Sequence, residues 1–112
     1  MTIIKIHDSI AKRAIVSRGV AHDLQDAIDT RFVKGNRKLR LDFEGVDAIS
    51  PSFVDELLLI ILESSARNNV KRLDITFANP PISPTQTMAA IARAHEVILL
   101  EEPGGSWKMT SG

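Results

Sequence analysis

Ser50 and Ser52 flank Pro51 just ahead of a long apolar run, and Asp55 and Glu56 follow within the same run. A serine at a helix start caps the helix by accepting a hydrogen bond from a first-turn N–H. Just inside the start, a serine stands beside N–H groups that have no helical partner and at the positive end of the helix dipole. A phosphate added there carries roughly −1.5 to −2 charges, enough to rewrite the surface while the fold stays intact. Ser52 is therefore the candidate phosphoacceptor, with Ser50 the weaker choice because it suits the cap. The crowding of Asp47, Asp55 and Glu56 near these serines suggests an alternative chemistry. It is that of a small-molecule or anion sensor, or a small hydrolase, working through the carboxylates of the Asp47–Glu56 turn.

Other constellations lead nowhere catalytic. His7, His22 and His95 each precede an acid, namely Asp8, Asp23 and Glu96. Their spacing matches no metal motif, and they belong to three different predicted elements. No Gly-x-Ser-x-Gly elbow, P-loop or dinucleotide glycine pattern is present. Asp42, Glu44, Asp47, Asp55 and Glu56 read as the solvated face of a turn rather than a cation site. The chain is thus expected to be no enzyme, with no cofactor and no metal.

The elements that must hold the serines are legible from periodicity. Ile3 to Ile10 reads as a strand containing His7, and Ala14–Val16 as a second short one. Val20, Leu24, Ala27, Ile28 and Phe32 recur at helical spacing, so a helix is predicted from about Val20 to Phe32, closed by Gly35. Leu39, Leu41 and Phe43 alternate with Arg40 and Asp42 as a strand, and Gly45 permits the turn that follows. Ser50 as cap and Pro51 at the first helical position open a helix reaching about Arg67. Leu73, Ile75 and Phe77 form another strand. Ser83-Pro84-Thr85-Gln86 has the form of a capped helix start, and that helix carries Met88, Ile91, Ala92 and His95 on one face. Val97–Leu100 is a last strand. Residues 101–112, rich in glycine and serine, read as a flexible tail in which Trp107 either pins the tail to the domain or serves a partner. Residues 1–100 then make a single α/β domain, a mixed and mostly parallel sheet of four to five strands with about three helices.

On the helix that starts at Pro51, Ser52, Asp55, Glu56, Leu59 and Glu63 share one polar arc at about 100° per residue. The remaining face is apolar. A leucine amid an exposed polar arc, beside a serine at the helix start, is the pattern of a partner-binding surface. Ser50, Pro51, Ser52, Asp55, Glu56, Leu59 and Glu63 are accordingly the predicted partner-binding residues.

Bulk composition sets the boundaries. With 112 residues the chain suits one domain. Its 14 basic and 14 acidic side chains balance, which speaks against a dedicated nucleic-acid binder. The absence of cysteine excludes disulfides and thiolate metal sites and fits the cytoplasm. Neither a membrane span of ~20 apolar residues nor a signal peptide is evident, so no membrane association is expected.

The predicted order β-β-α-β-α-β-α-β and the segment from Leu41 to Glu56 resemble the STAS-like family, related to the STAS fold of bacterial anti-sigma factor antagonists. The hallmark of that family is a strand "LDFxGV" followed by "IxxxFADE". Val16-Ser17-Arg18 and Phe77-Ala78-Asn79-Pro80 also resemble it, and the likeness covers roughly residues 13 to 93. In the antagonists the matching loop reads Asp-Ser-Ser-Gly, and its second serine is phosphorylated by a partner kinase of the histidine-kinase-like ATPase fold. The resemblance puts Ser52 at that serine, Pro51 at the first serine, Ser50 at the aspartate and Phe53 at the glycine. It implies a regulatory protein-interaction module whose partner is an ATPase or serine kinase of that kind.

Overall fold

The protein is described by a computed structural model over residues 2–10, 14–15, 17–82 and 85–111. Strand β1 (Thr2–Lys5) leads into a single helical turn, α1 (Ile6–Ser9), and then the short strand β2 (Ala14–Ile15). A 3₁₀ helix over Gly19–Leu24 runs directly into α2 (Gln25–Val33). Strands β3 (Lys38–Asp42) and β4 (Ala48–Ile49) precede the long helix α3 (Pro51–Arg67). Strand β5 (Asp74–Ala78), helix α4 (Gln86–Ala94) and the hairpin β6 (Val97–Glu101)–β7 (Trp107–Ser111) complete the chain.

Five strands form one mixed sheet in the order β1-β3-β5-β7-β6, while β2 and β4 pair separately. Strands β1, β3 and β5 are mutually parallel, and β7 runs antiparallel to both β5 and β6. Four of the five therefore point one way, as the parallel βα connections require. Residues alternate across the sheet. Ile4, Leu39, Leu41, Ile75, Phe77, Met109 and Trp107 are buried in the core. Ile3, Arg40, Thr76, Lys108 and Leu100 share one row on the opposite face.

Local signals explain the helix ends. Ser50 has an extended backbone and accepts the Phe53 N–H through its hydroxyl at 3.1 Å. At the other end of α3, Asn69 adopts a left-handed φ of 56°. The Val70 N–H reaches Ser65 O at 2.9 Å and the Asn69 N–H reaches Ala66 O at 3.3 Å. This is a Schellman close with asparagine in the usual glycine position. Gly35, at φ 85°, closes α2 in the same way.

The structure departs from the sequence reading in several places. The first strand stops at Lys5. Ile6 and Ile10 are both buried, and the Ile10 N–H bonds to Ile6 O at 2.8 Å. That helical spacing takes over from the alternation, so His7 sits on a turn rather than a strand. The helix expected from Val20 begins as a tighter 3₁₀ segment and becomes α-helical only at Gln25. Thr85, not Ser83, caps α4, accepting the Met88 N–H at 3.2 Å. Ser83, Pro84 and the strand end at Val16 lie outside the described residues.

The largest correction concerns residues 101–112. Residues 101–111 are no loose tail, and the domain does not stop at residue 100. Pro103 and the positive-φ glycines Gly104 and Gly105 build a tight hairpin. Beyond it Trp107 and Met109 point inward while Thr110 is exposed. Trp107 is wholly buried and stacks on Phe77, which stacks in turn on Phe43, with ring centroids 5.5 and 5.8 Å apart. The tryptophan thus pins β7 to the core, although its indole N–H has no partner among the described residues.

Because β7 lies between β5 and β6, deleting residues 103–112 should abolish cooperative folding. Circular dichroism on heating checks this; an unchanged melting transition would contradict the placement of β7. Leu58 is fully buried and Leu59 only half-buried. Leu58→Ala should cost about 2–5 kcal/mol and Leu59→Ala about 1 kcal/mol. Urea titration of the two variants reads the difference, and the reverse ranking would show α3 to be wrongly faced.

Candidate functional site

The start of α3 is built by residues that sequence separates widely. The Ser50 N–H donates to Ile15 O at 3.0 Å, fastening the helix start to β2. Its hydroxyl caps the helix and its carbonyl accepts the Val54 N–H at 3.1 Å. Ser50 is thereby committed to structure. Pro51 and Ser52 are exposed at the first turn.

One turn on, Asp55 and Glu56 are gripped by three cationic or potentially cationic side chains. Arg18, just ahead of the 3₁₀ helix, donates through Nη1 to Asp55 Oδ2 at 2.5 Å and to Glu56 Oε1 at 3.3 Å. His22, within that helix, reaches Glu56 Oε2 through Nε2 at 2.8 Å. His95, which ends α4, reaches Asp55 Oδ1 through Nε2 at 2.7 Å. An ionised carboxylate only accepts, so each imidazole Nε2 carries the proton of these bonds. The Arg18 guanidinium holds the Asp55 carboxyl below the ordinary aspartate value, His95 adds to this, and partial burial opposes it. In return Asp55 first and Glu56 second raise Arg18 above its ordinary value.

This arrangement corrects the predicted polar arc. Glu56 is buried, at 9% exposure, because the 3₁₀ helix covers that side of α3. Leu59 is half-buried rather than an exposed leucine, while Glu63 is exposed as expected. The carboxylates near the turn do not form one acidic centre. Asp55 and Glu56 are each paired with cations, and Asp47 is exposed in the loop before β4. Asp42 bonds to Asn79 Nδ2 at 2.9 Å and to the Glu44 N–H at 3.0 Å. Those bonds, Asn79 foremost, hold its carboxyl below the ordinary range against the effect of burial. Among the described residues no group of three or more His, Cys, Asp or Glu side chains is placed to hold a metal.

Beside Ser52 and Asp55 a groove of about 530 Å³ opens between α3 and α4. Pro51, Ala90, Ile91 and Ala94 give it an apolar lining, with Arg18, Ser52, Asp55 and Thr87 supplying polar groups. Of the predicted binding residues, Pro51, Ser52 and Asp55 line this groove, whereas Ser50, Glu56, Leu59 and Glu63 do not. Sequence reasoning missed Arg18, the α4 wall and the convergence of two histidines. Each histidine was read beside the acid that follows it, but its partner lies 34 or 40 positions away. No local pattern signals such pairs.

Comparison with protein-family models, with curated proteins and with solved structures finds no match for this chain. Among the described residues no helix is long and apolar enough to cross a membrane.

The depressed Asp55 value fixes the sign of one pH effect. A carboxylate whose folded value lies below its unfolded value contributes stability above the unfolded value, near 4, and loses it as pH falls through the folded one. Asp55→Asn should therefore lower stability at pH 7 by about 1–3 kcal/mol and flatten the loss of stability below about pH 4. Urea unfolding from pH 7 to pH 2 measures both. Equal acid sensitivity in the two proteins would remove Asp55 from the account.

Proposed function

We propose that the protein is a non-enzymatic regulatory interaction module of the STAS-like type, similar in role to anti-sigma factor antagonists, acting in the cytoplasm. It binds a protein partner, a histidine-kinase-like ATPase or serine kinase, in the groove between the start of α3 and α4. Ser52 is its phosphoacceptor. The observation that carries this reading is the division of labour between the two serines: Ser50 is consumed by capping, while Ser52 is exposed on the groove wall. The pairing of Asp55 and Glu56 with Arg18, His22 and His95 supports binding over hydrolysis, since both carboxylates are already engaged.

A phosphate on Ser52 would stand three and four residues before Asp55 and Glu56, on the same side of the helix. It would repel both carboxylates and compete with them for Arg18, whose side chain is half exposed. The groove wall would rearrange without unfolding α3, because the Ser50 cap is untouched. A single modification would thereby change what the groove accepts.

Paired affinity capture from source-cell lysate with wild-type, Ser52→Ala and Ser52→Glu baits tests the proposal, followed by calorimetry with the purified partner. The expected outcome is an ATPase whose affinity is changed at least about tenfold by Ser52→Glu, or ~1.4 kcal/mol, and little changed by Ser52→Ala. Groove filling by Ala90→Trp should abolish binding. A partner held equally by all four proteins would place the interface elsewhere, and full peptide coverage showing only unmodified Ser52 would remove the switch.

A further inference from the structure

The balanced total charge hides a strongly basic end. Strands β3 and β5 are parallel and begin level with each other, Lys38 beside Asp74. Each is reached by a helix that returns along the sheet, so α2 and α3 finish at that same end. Arg67 near the end of α3 bonds Asp29 of α2 at 2.7 Å. The Asp74 N–H donates to Arg37 O at 2.9 Å. Lys34, Arg37, Lys38, Arg67, Lys71 and Arg72 are thereby gathered at one end, all exposed.

Two of the acids near them are already paired, while Glu96, exposed just ahead of β6 at the same end of the sheet, has no ion pair with a described residue. Asp29 takes Arg67 and also the Ser64 hydroxyl. Asp74 pairs with Lys108 at 3.1 Å. Glu63 stands one turn back on α3. Lys34, Arg37, Lys38, Lys71 and Arg72 make no ion pair with a described residue. The long axis of the molecule is 32 Å, several times the ~8 Å over which salt screens charge at physiological strength. The acidic side chains of the other end do not cancel this one.

Within the basic end lies a groove of about 650 Å³. Its apolar lining comes from Leu62, Val70 and Leu73, and Lys71 and Arg72 stand on its rim. Asn69 and Arg72 both hold left-handed backbone, with φ 56° and 57°. The loop that frames the groove is thus bent twice where side-chain-bearing residues resist bending.

We propose that this groove is a second docking site, for an acidic peptide segment with an apolar anchor. The anchor occupies the Leu62–Val70–Leu73 floor and flanking carboxylates meet Lys71, Arg72 and Arg37. Charge complementarity selects the acidic flanks. The apolar floor selects a peptide over a nucleic acid, whose phosphates have no use for it and whose bases would find no exposed aromatic to stack on. The site lies at the opposite end of α3 from Ser52, so it stands whether or not the Ser52 groove binds a partner.

Fluorescence anisotropy with the full chain tests it, using the labelled probe Glu-Glu-Leu-Leu-Glu-Glu. Comparison probes are Glu-Glu-Gly-Gly-Glu-Glu, Lys-Lys-Leu-Leu-Lys-Lys and a DNA duplex of about 20 base pairs. The first probe should bind with a dissociation constant below about 1 mM at low salt. Its affinity should fall at least about tenfold in the double variant Lys71→Glu/Arg72→Glu and on raising the salt. Ala66→Trp, at an exposed position on the groove, should block binding while leaving every charge in place. Ser52→Glu should leave it unchanged. All four substituted positions are exposed, and matching melting curves confirm that the variants fold. Equal binding of the Gly-Gly probe would reduce the site to non-specific charge attraction. Tighter DNA binding would make it a nucleic-acid surface, and no binding of the first probe at about 1 mM would overturn the proposal.

Discussion

The burial of α3 governs the rest of the structure. This helix is apolar on most of its circumference, and nine of its residues, including Glu56, Ser64 and Ser65, are buried. A sheet covers only one side of a helix. The 3₁₀ segment and α2 must therefore close over a second side and α4 over a third. An acid caught inside such a wrapping has to be paired, because an isolated buried carboxylate costs several kcal/mol. Arg18 and His22 supply the pairing at Glu56, and Arg18 and His95 supply it at Asp55. The same contacts that permit burial fasten two of the covering elements, the 3₁₀ segment and α4, to one turn of α3, while α2 is held further along by Asp29 to Ser64 and Arg67. The groove beside Ser52 is the gap left where those covers meet.

The parts of this arrangement that depend on local chemistry were legible in the sequence. Ser50 and Pro51 announce the start of α3, Gly35 the end of α2, and alternating Leu39 and Leu41 the inner strand β3. All three are nearest-neighbour effects. What was not legible depends on tertiary cover. A helical wheel assigns Glu56 to solvent because it assumes one buried face, and the 3₁₀ helix supplies another. The histidines were misread for a related reason, since their carboxylate partners are distant in sequence. Residues 101–112 failed differently. Their glycines and serines suggest looseness by composition, yet Gly104 and Gly105 sit in a hairpin turn with φ 94° and 91° and serve to bring Trp107 back. The alternation of Trp107 and Met109 with Lys108 and Thr110 was present, but a period of two over four residues is weak evidence beside three glycines.

Charge follows the topology in the same way. Cations are favoured at helix C-termini and acids at helix starts, where they complement the helix dipole. Where α2 and α3 each return to the start of the strand that follows, those preferences fall at matching ends. Asp26 in the first turn of α2 and Asp55 near the start of α3 lie toward one end, and Arg31, Lys34 and Arg67 toward the other. At the start of α3 the acids are matched by Arg18, whereas at its end the cations outnumber the paired acids. Dipole complementation alone stops within the last turn, however. Lys71 and Arg72 lie beyond it, in a loop already closed by Asn69 and Val70. Their charges add nothing to helix stability, and Arg72 holds a left-handed backbone that glycine would adopt at lower cost. The basic character of this end therefore exceeds what the fold requires, and the excess is concentrated on the rim of a groove with an apolar floor.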